Sequence, residues 1–456
     1  MLLAAILMQS LLIPVDADVS WLVTVCERLL GGDRLYVDLV ETNPPASVWL
    51  YLPSVWAAGQ LGLPAEALVI GSAMVGAVLS IAATARLAVK LCRPACLAWL
   101  SAGAAFALLI LPGGLFAQRE QFALMLALPA TVAIVRIRQG RAPGQPASVA
   151  VGIAAGLLMA IKPPFALALL LPAAWAAKRT RDWRPFLAPA AAAALVLAAY
   201  AAAVMILTPE YLQLLPMLRA TYLPMRDQAV NFLLGPMLVV PTALYLLARL
   251  LQRPRAEPLA TALFLASAGF ALAGLIQGKN YLNHSYPSIA LATIGFALMA
   301  GGRVSRSAPR HLAVTAAALL IGLQLLRTAS VQPPPGLVDA IVRSGPANPR
   351  MISLGTELAT GHPATRLARG RWVGSRPSLF TAAGARYVGL GDLAAAHWYR
   401  EDLASFVQDV ETRRPDLVLV EDRSRSWLLA DPNIRRAMRL YAPVERAGAI
   451  EVWRRR

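Results

Sequence analysis

The sequence predicts an all-α polytopic membrane domain followed by a small C-terminal α/β domain. Of its 456 residues, 57% are hydrophobic and only 15% are charged, which is too little polar surface to cover a soluble core of this size. The apolar residues form many blocks that are separated by short charged loops, and several blocks contain prolines, which membrane helices tolerate. The composition then changes from VQPPPG (331–336) onward, and we place the domain boundary between residues 330 and 331.

Each apolar block between charged loops is read as one transmembrane helix, which gives about eleven helices in residues 1–330. The predicted spans are 1–13, 64–89, 95–111, 121–135, 147–161, 163–177, 185–207, 231–248, 258–276, 286–300 and 311–330. The first block is shorter than the about 20 residues that a bilayer requires, and it has no basic region or cleavage site of a signal peptide. It is either part of a longer helix or the result of a start placed too late.

The block ASVWLYLPSVWAAGQLGL (46–63) is apolar but contains Pro53 and is followed at once by a longer apolar run. If this block crossed the membrane, every later loop would change sides, and the basic loops described below would then face outward. We therefore interpret it as an interfacial helix on the outer leaflet, with Trp49, Tyr51 and Trp56 in the headgroup zone.

The charge distribution orients the chain in the membrane and argues against nucleic-acid binding, despite a formal net charge of +18. One set of short loops is strongly basic and contains Lys90, Arg93, Arg136, Arg138, Arg141, Lys178, Arg179, Arg181, Arg184, Arg249, Arg253, Arg255, Arg303, Arg306 and Arg310. The loops of the other side carry more acids than bases. By the positive-inside rule the basic set is cytoplasmic. We therefore expect a multi-pass protein of the bacterial inner membrane with residues 331–456 in the periplasm.

Residues 331–456 have the composition of a soluble domain after a stiff proline linker. They contain 19 Arg, no Lys and 13 acidic residues. MISLG (351–355), DLVLVE (416–421) and AIEVWRR (449–455) are predicted strands, whereas 401–413 and 433–441 are predicted helices. This alternation indicates a small α/β domain.

The first outer loop (14–63) concentrates acidic residues next to the membrane, and loops of this length usually carry function. Asp16 and Asp18 lie just beyond the first predicted helix, where a partly shielded carboxylate can act as a general base. Aspartate is also a normal N-cap residue. Asp18 could therefore simply cap the helix that begins at Val19.

The spacing D-x-x-W…L-x-G-x-x-L-Y-x-D-x-x-E-x-N-P-P in this loop resembles the first outer loop of the GT-C superfamily of membrane glycosyltransferases, and family 39 in particular. The resemblance covers residues 1 to about 130. It implies a GT-C-like fold and places Asp18 at the catalytic position, with Asp16 as a nearby competitor. It also implies that a group of loop residues binds substrate: Asp16, Tyr36, Asp38, Glu41 and Asn43, within a motif completed by Gly32, Pro44 and Pro45.

Three further outer loops contribute candidate residues. Glu120 resembles the second acid of GT-C relatives by position and is a second predicted catalytic residue, although an Arg119–Glu120 pair could equally be an interfacial salt bridge. Lys162 in IKPPF can hold a phosphate as a point charge or extend its amine to the headgroups. QGKNYLNHSYP (277–287) gathers many hydrogen-bond donors. The predicted donor-phosphate site comprises Arg119, Lys162, Lys279 and His284.

These features favour an inverting glycosyltransferase that moves a sugar from a polyprenyl-phosphate donor to an acceptor at the outer membrane face. The acceptor is a lipid, a glycan or a protein, and membrane lipids are further partners. No cofactor or metal site is predicted, and any need for a divalent metal stays open. A transporter or lipid flippase is the alternative, although such proteins keep ionisable residues near mid-membrane and in repeated halves. A non-catalytic assembly protein is a third reading.

Overall fold

The computed structural model describes residues 1–9, 13–251, 257–301, 308–329 and 333–456. Four basic residues of the predicted cytoplasmic loops (Arg253, Arg255, Arg303 and Arg306) and the start of the proline linker lie outside these described residues. The structure is 71% helical, in agreement with the predicted class. In the described ranges the helices are α1 (Leu2–Leu7), α2 (Ala17–Leu30), α3 (Pro45–Trp49), α4 (Leu52–Leu61), α5 (Ala65–Ala88), α6 (Pro94–Leu109), α7 (Arg119–Arg138), α8 (Gln145–Ile161), α9 (Leu167–Thr180), α10 (Leu187–Leu207), α11 (Tyr211–Met217), α12 (Ala229–Leu233), α13 (Pro236–Arg249), α14 (Glu257–Gln277), α15 (Leu282–Ala300), α16 (Ala308–Ala329), α17 (Leu337–Ser344), α18 (Ala364–Leu367), α19 (Phe380–Val388), α20 (Leu393–Arg413), α21 (Asp422–Leu428) and α22 (Pro432–Met438).

Every predicted membrane span contains a helix. Six helices of the described chain are long and apolar enough to cross a membrane: α5, α7, α10 with its preceding turn, α12–α13 as one segment, α14 and α16. Helices α6 and α8 are apolar but shorter. The predicted fold class, a polytopic helical membrane domain with a small mixed sheet near the C-terminus, is confirmed.

The chain divides into two compact units, of which the first contains residues 1–13, 69–203 and 226–331. Helix α15 is buried along most of its length and packs against α6, α13 and α14. Small residues allow close helix contacts, as membrane helices require. A Cβ atom at Gly152 would lie 2.3 Å from the carbonyl oxygen of Pro189, so α8 and α10 touch backbone to backbone.

The second unit combines three separate stretches, residues 14–68, 204–225 and 332–456. Its sheet contains β1 (Arg350–Leu354), β2 (Arg371–Trp372), β3 (Leu417–Glu421), β4 (Tyr441–Ala447) and β5 (Ile450–Arg455) in the order β2-β1-β3-β5-β4. Strands β2, β1 and β3 are parallel, whereas β5 is antiparallel to both β3 and β4. The domain boundary at residue 330 stays a prediction.

Residues of the first outer loop bind the C-terminal stretch directly within this second unit. The backbone N–H of Val40 donates to the Ser375 carbonyl at 2.8 Å, and Arg28 donates to the Gly374 carbonyl at 2.5 Å. Arg366 forms ion pairs with both Glu27 and Glu66. The loop that carries the predicted catalytic motif is therefore held by residues more than three hundred positions away.

The structure corrects the sequence expectation in two places. The predicted interfacial helix 46–63 is interrupted at Leu50–Tyr51 and forms α3 and α4, because Pro53 lacks an N–H and is favoured only in the first turn of a new helix. The predicted helix 433–441 ends at Met438, and the chain continues into β4. Only the two end residues of β4, Tyr441 and Ala447, are buried, so the strand has no apolar alternation by which the sequence could reveal it.

Candidate active site

The first group of candidate residues lies at the start of α2. The N-cap residue is Asp16, whose carboxylate accepts a hydrogen bond from the Asp18 backbone N–H at 2.8 Å. Asp18 lies in the first helical turn, where the helix dipole stabilises a carboxylate. The capping role that the sequence left open for Asp18 therefore belongs to Asp16.

The loop after α2 is compact because its turns are hydrogen-bonded internally. Tyr36 has a positive φ of 67°, and it is held there by its N–H bond to the Leu39 carbonyl at 2.7 Å and by its hydroxyl bond to the Asn43 carbonyl at 2.7 Å. Asp38 accepts hydrogen bonds from the Nε and the backbone N–H of Arg34. These bonds lower the pKa of the Asp38 carboxyl below its ordinary value.

Glu41 is buried, and both of its oxygen atoms bind other residues of the same loop region. Oε2 accepts a 2.5 Å hydrogen bond from the Trp21 indole, while Oε1 accepts from the backbone and side-chain nitrogens of Asn43 at 2.7 and 2.5 Å. Trp21 had no role in the predicted site, although it is the tryptophan of the D-x-x-W pattern. The observed bonds of Glu41 shape the loop, and direct contact of Glu41 or Asn43 with a substrate stays a prediction.

The second group of candidate residues is a buried charged cluster in the first unit. Lys162 Nζ lies 2.9 Å from Glu120 Oε1 and 2.9 Å from His284 Nε2. Glu120 is in the first turn of α7, and His284 is in the first turn of α15. Lys162 is in extended conformation at the end of α8 because the two following prolines stop that helix.

The protonation state of His284 follows from its two neighbours. A lysine ammonium can only donate, so Nε2 accepts from Lys162. The Lys279 carbonyl, 3.2 Å from Nδ1, can only accept. His284 is therefore a neutral imidazole with its proton on Nδ1.

Glu120 is 0% exposed and His284 6%, and the Lys162 side chain is 15% exposed. A carboxylate at such a place must be paired, and Lys162 supplies the charge. Glu120 Oε2 is buried and has no hydrogen-bond partner within the described ranges. Glu120 is therefore paired with Lys162, whose amine lies against Glu120 and His284.

Two further cations are buried in the same unit. Arg119 precedes Glu120 and is 5% exposed, and Lys279 is 3% exposed. Burial, together with the positive charge of Arg226, lowers the pKa of Lys279 to about 8. Arg226 was not among the predicted site residues. Lys162 therefore pairs with Glu120, Arg119 is its neighbour in the chain, and Lys279 adjoins the cluster through its backbone carbonyl, which contacts His284.

No group of three or more His, Cys, Asp or Glu side chains that could hold a metal ion occurs among the residues that the structure describes.

Comparisons with known proteins identify the fold. No family model matches the sequence, and no curated protein matches it either. Solved structures match the chain. The crystal structure of ArnT from Cupriavidus metallidurans bound to undecaprenyl phosphate matches with a TM-score of 0.54 and 14% identity, over 99% of this chain and 95% of that chain. The apo structure of the same protein matches with a TM-score of 0.53 and 14% identity, over 97% and 93%.

These matches cover nearly the whole of both chains, so the likeness extends to the complete architecture. The protein is a multi-spanning membrane protein, and its chain has the GT-C fold. The resemblance that the first-loop motif indicated is confirmed at the level of the superfamily fold.

Proposed function

We propose that the protein is an inverting glycosyltransferase that transfers a sugar from a polyprenyl-phosphate donor to an acceptor hydroxyl at the outer face of the bacterial inner membrane. The observation that carries this proposal is the buried Lys162–Glu120–His284 cluster. It occurs on a fold shared with a protein that was crystallised with undecaprenyl phosphate.

In the proposed reaction the donor phosphate is held by Lys162, with Arg119 and Lys279 as further donor-binding residues, and His284 accepts from Lys162 and helps to hold its amine in place. The bond between the anomeric carbon and the phosphate oxygen breaks, and its electron pair stays on the departing polyprenyl phosphate. Buried cations stabilise that growing charge more strongly than they would in water. Glu120 keeps Lys162 charged and fixes its position, since a lone ammonium in this environment would be costly.

The acceptor hydroxyl is activated by Asp18 in this proposal. Its carboxylate takes the hydroxyl proton as the oxygen attacks the anomeric carbon from the face opposite the phosphate, which inverts the configuration. Tyr36 and Asp38 orient sugar or acceptor hydroxyls, and Glu41 and Asn43 keep the loop in shape. Asp16 begins the helix on which Asp18 stands.

Donor binding is the first test. We expect saturable binding of at least one polyprenyl-phosphate sugar to the wild-type protein in lipid nanodiscs, and at least about tenfold weaker binding to Lys162→Ala, because a charge-assisted contact to phosphate is lost. Lys178→Ala, in a loop predicted to be cytoplasmic, is the control and should bind as the wild type does. Absence of binding by the wild type to every donor tested would favour a transporter or flippase.

An assay of sugar transfer tests the assignment of Asp18 as the general base. Asp18→Asn should reduce transfer by at least about a hundredfold while the melting temperature is unchanged, because the amide cannot accept the proton. Asp16→Asn is the comparison, since asparagine is an equally good N-cap. If the loss in Asp16→Asn matches or exceeds that in Asp18→Asn, the assignment of the base to Asp18 is wrong.

A further inference from the structure

A cavity with a volume of about 800 Å³ lies in the first unit between α13 and α14. None of the candidate active-site residues line it. Two arginines, Arg138 and Arg249, line one end of it, where α7 and α13 finish and α14 begins. Met237 and Leu272 mark the other end. The cavity therefore runs along the helices, with its positive charge at one end.

The charged end is partly pre-organised. The Arg138 guanidinium lies 3.8 Å above the centre of the Trp175 ring and donates to the Trp175 carbonyl at 3.3 Å. Stacking of this kind fixes the plane of a guanidinium while it leaves further N–H groups for an anion. Arg249 lines the same cavity from a different helix, α13.

The remainder of the cavity is apolar and open at its side. Tyr245 and Phe264 form an edge-to-face pair in its wall, and Leu272 is 42% exposed. The Ser267 hydroxyl, also in the wall, is already bonded to the Ser288 carbonyl at 2.7 Å. This part of the cavity suits a hydrocarbon chain.

The length of the cavity matches one membrane leaflet. Pro258 and Leu272 both line it and are fourteen residues apart on α14, which at 1.5 Å per residue is about 21 Å. Half of a bilayer, headgroup included, is about 20–22 Å thick. A polyprenyl chain is far longer than a leaflet, whereas the acyl chain of a glycerophospholipid is not.

We propose that this cavity binds one anionic glycerophospholipid of the cytoplasmic leaflet, with its phosphate between Arg138 and Arg249 and an acyl chain along α13 and α14. The site lies at the end of the helices that carry the basic loops, and that end is predicted to be cytoplasmic. The proposal does not depend on the proposed transferase activity, because it uses none of the same residues.

Thermal unfolding of the full chain in detergent tests the proposal. Added phosphatidylglycerol should raise the melting temperature of the wild type by several degrees, since a ligand that binds only the folded state stabilises it. Phosphatidylcholine with the same acyl chains, and undecaprenyl phosphate, should produce much smaller shifts. The double variant Arg138→Gln/Arg249→Gln should lose the shift, whereas Arg86→Gln, on an exposed face of α5, should keep it.

A second variant tests the apolar part of the site. Ala268 lines the cavity and is exposed, so Ala268→Trp should fill the cavity and reduce retention of phosphatidylglycerol in native mass spectrometry by about tenfold, with the charged end intact. Equal shifts from phosphatidylcholine, a larger shift from undecaprenyl phosphate, or an unchanged shift in the arginine double variant would each overturn the proposal.

Discussion

Individual polar residues of the two candidate groups have different tasks although their chemistry is alike. Asp16 caps α2, while Asp18 two residues later lies in the first turn. Glu41 is bound by residues of its own loop, whereas Glu120, which is fully buried, balances the charge of the partly buried Lys162. The carboxylates are distinguished by their neighbours, because burial and hydrogen bonding determine whether a carboxylate stabilises the fold or is available as a general base.

Lys279 should make donor binding dependent on pH. Its pKa is lowered from 10.5 to about 8 by burial and by Arg226, so its positive charge is lost as the pH rises through about 8. If Lys279 binds the donor phosphate, affinity for a polyprenyl-phosphate sugar should be highest at about pH 7 and fall towards about pH 9.5. Binding titrations at a series of pH values measure this.

Two variants make the test of Lys279 specific. The arginine of Lys279→Arg stays charged between about pH 7 and 9.5, so this variant should remove the decline in donor affinity. Arg226→Gln removes a neighbouring positive charge and should move the decline to higher pH. A decline that is the same in Lys279→Arg as in the wild type would exclude Lys279 as its cause.

Helices of the first unit depend on glycines at their contacts. A Cβ atom at Gly156 would lie 2.6 Å from the Val196 side chain, one turn along α8 from the contact of Gly152 with Pro189. Both glycines therefore face α10, in a spacing of small residues that is typical of close membrane-helix contacts. The sequence shows these glycines, but it does not show which helix they meet.

Gly152→Ala should destabilise the protein by about 1–3 kcal/mol, because the new methyl group meets the Pro189 backbone, which cannot move without separating the helices. Gly71→Ala in α5 is the matched control, since no atom lies within 4 Å of the added Cβ. It should be neutral or stabilising by up to about 1 kcal/mol, as alanine favours helix. The melting temperature in detergent should fall in Gly152→Ala and stay the same or rise in Gly71→Ala, and equal shifts would contradict the close packing.

At the level of the whole chain, the second unit is assembled from stretches that are far apart in sequence. Arg366 connects the C-terminal stretch with Glu27 of α2 and with Glu66 at the start of α5. Its side chain is 16% exposed, and those of the two glutamates are 44% and 27% exposed. The motif loop and the sheet are therefore expected to unfold together.

Arg366→Leu should lower the stability of the second unit by about 2 kcal/mol, less than for a fully buried ion pair because the glutamates stay partly hydrated. Arg423→Leu is the control, since Arg423 pairs with Glu357 at a surface where its side chain is 83% exposed, and it should change stability little. The rate of limited proteolysis of the full chain measures the stability of the second unit in both variants. Equal protection of Arg366→Leu and the wild type would show that the bridge is not needed.

Much of the fold could be predicted from the sequence because membrane spans are long, local and apolar. The eleven predicted blocks all contain helices, and the strands β1, β3 and β5 were predicted from MISLG, DLVLVE and AIEVWRR. The break within 46–63 and the strands β2 and β4 were not predicted. Strand β2 has only two residues, and β4 is buried only at its two ends, so neither has a periodic pattern.

The sequence alone determined the class of the protein, the positions of its long apolar helices and the residue types of its candidate site, since these follow from local composition and spacing. Which of these residues meet was decided by the tertiary structure. Lys162 is 42 residues from Glu120 and 122 from His284, and the cap of α2 is Asp16 and not Asp18. Contacts of this kind depend on how distant helices pack and on the exact start of a helix, and neither leaves a periodic signal in the chain.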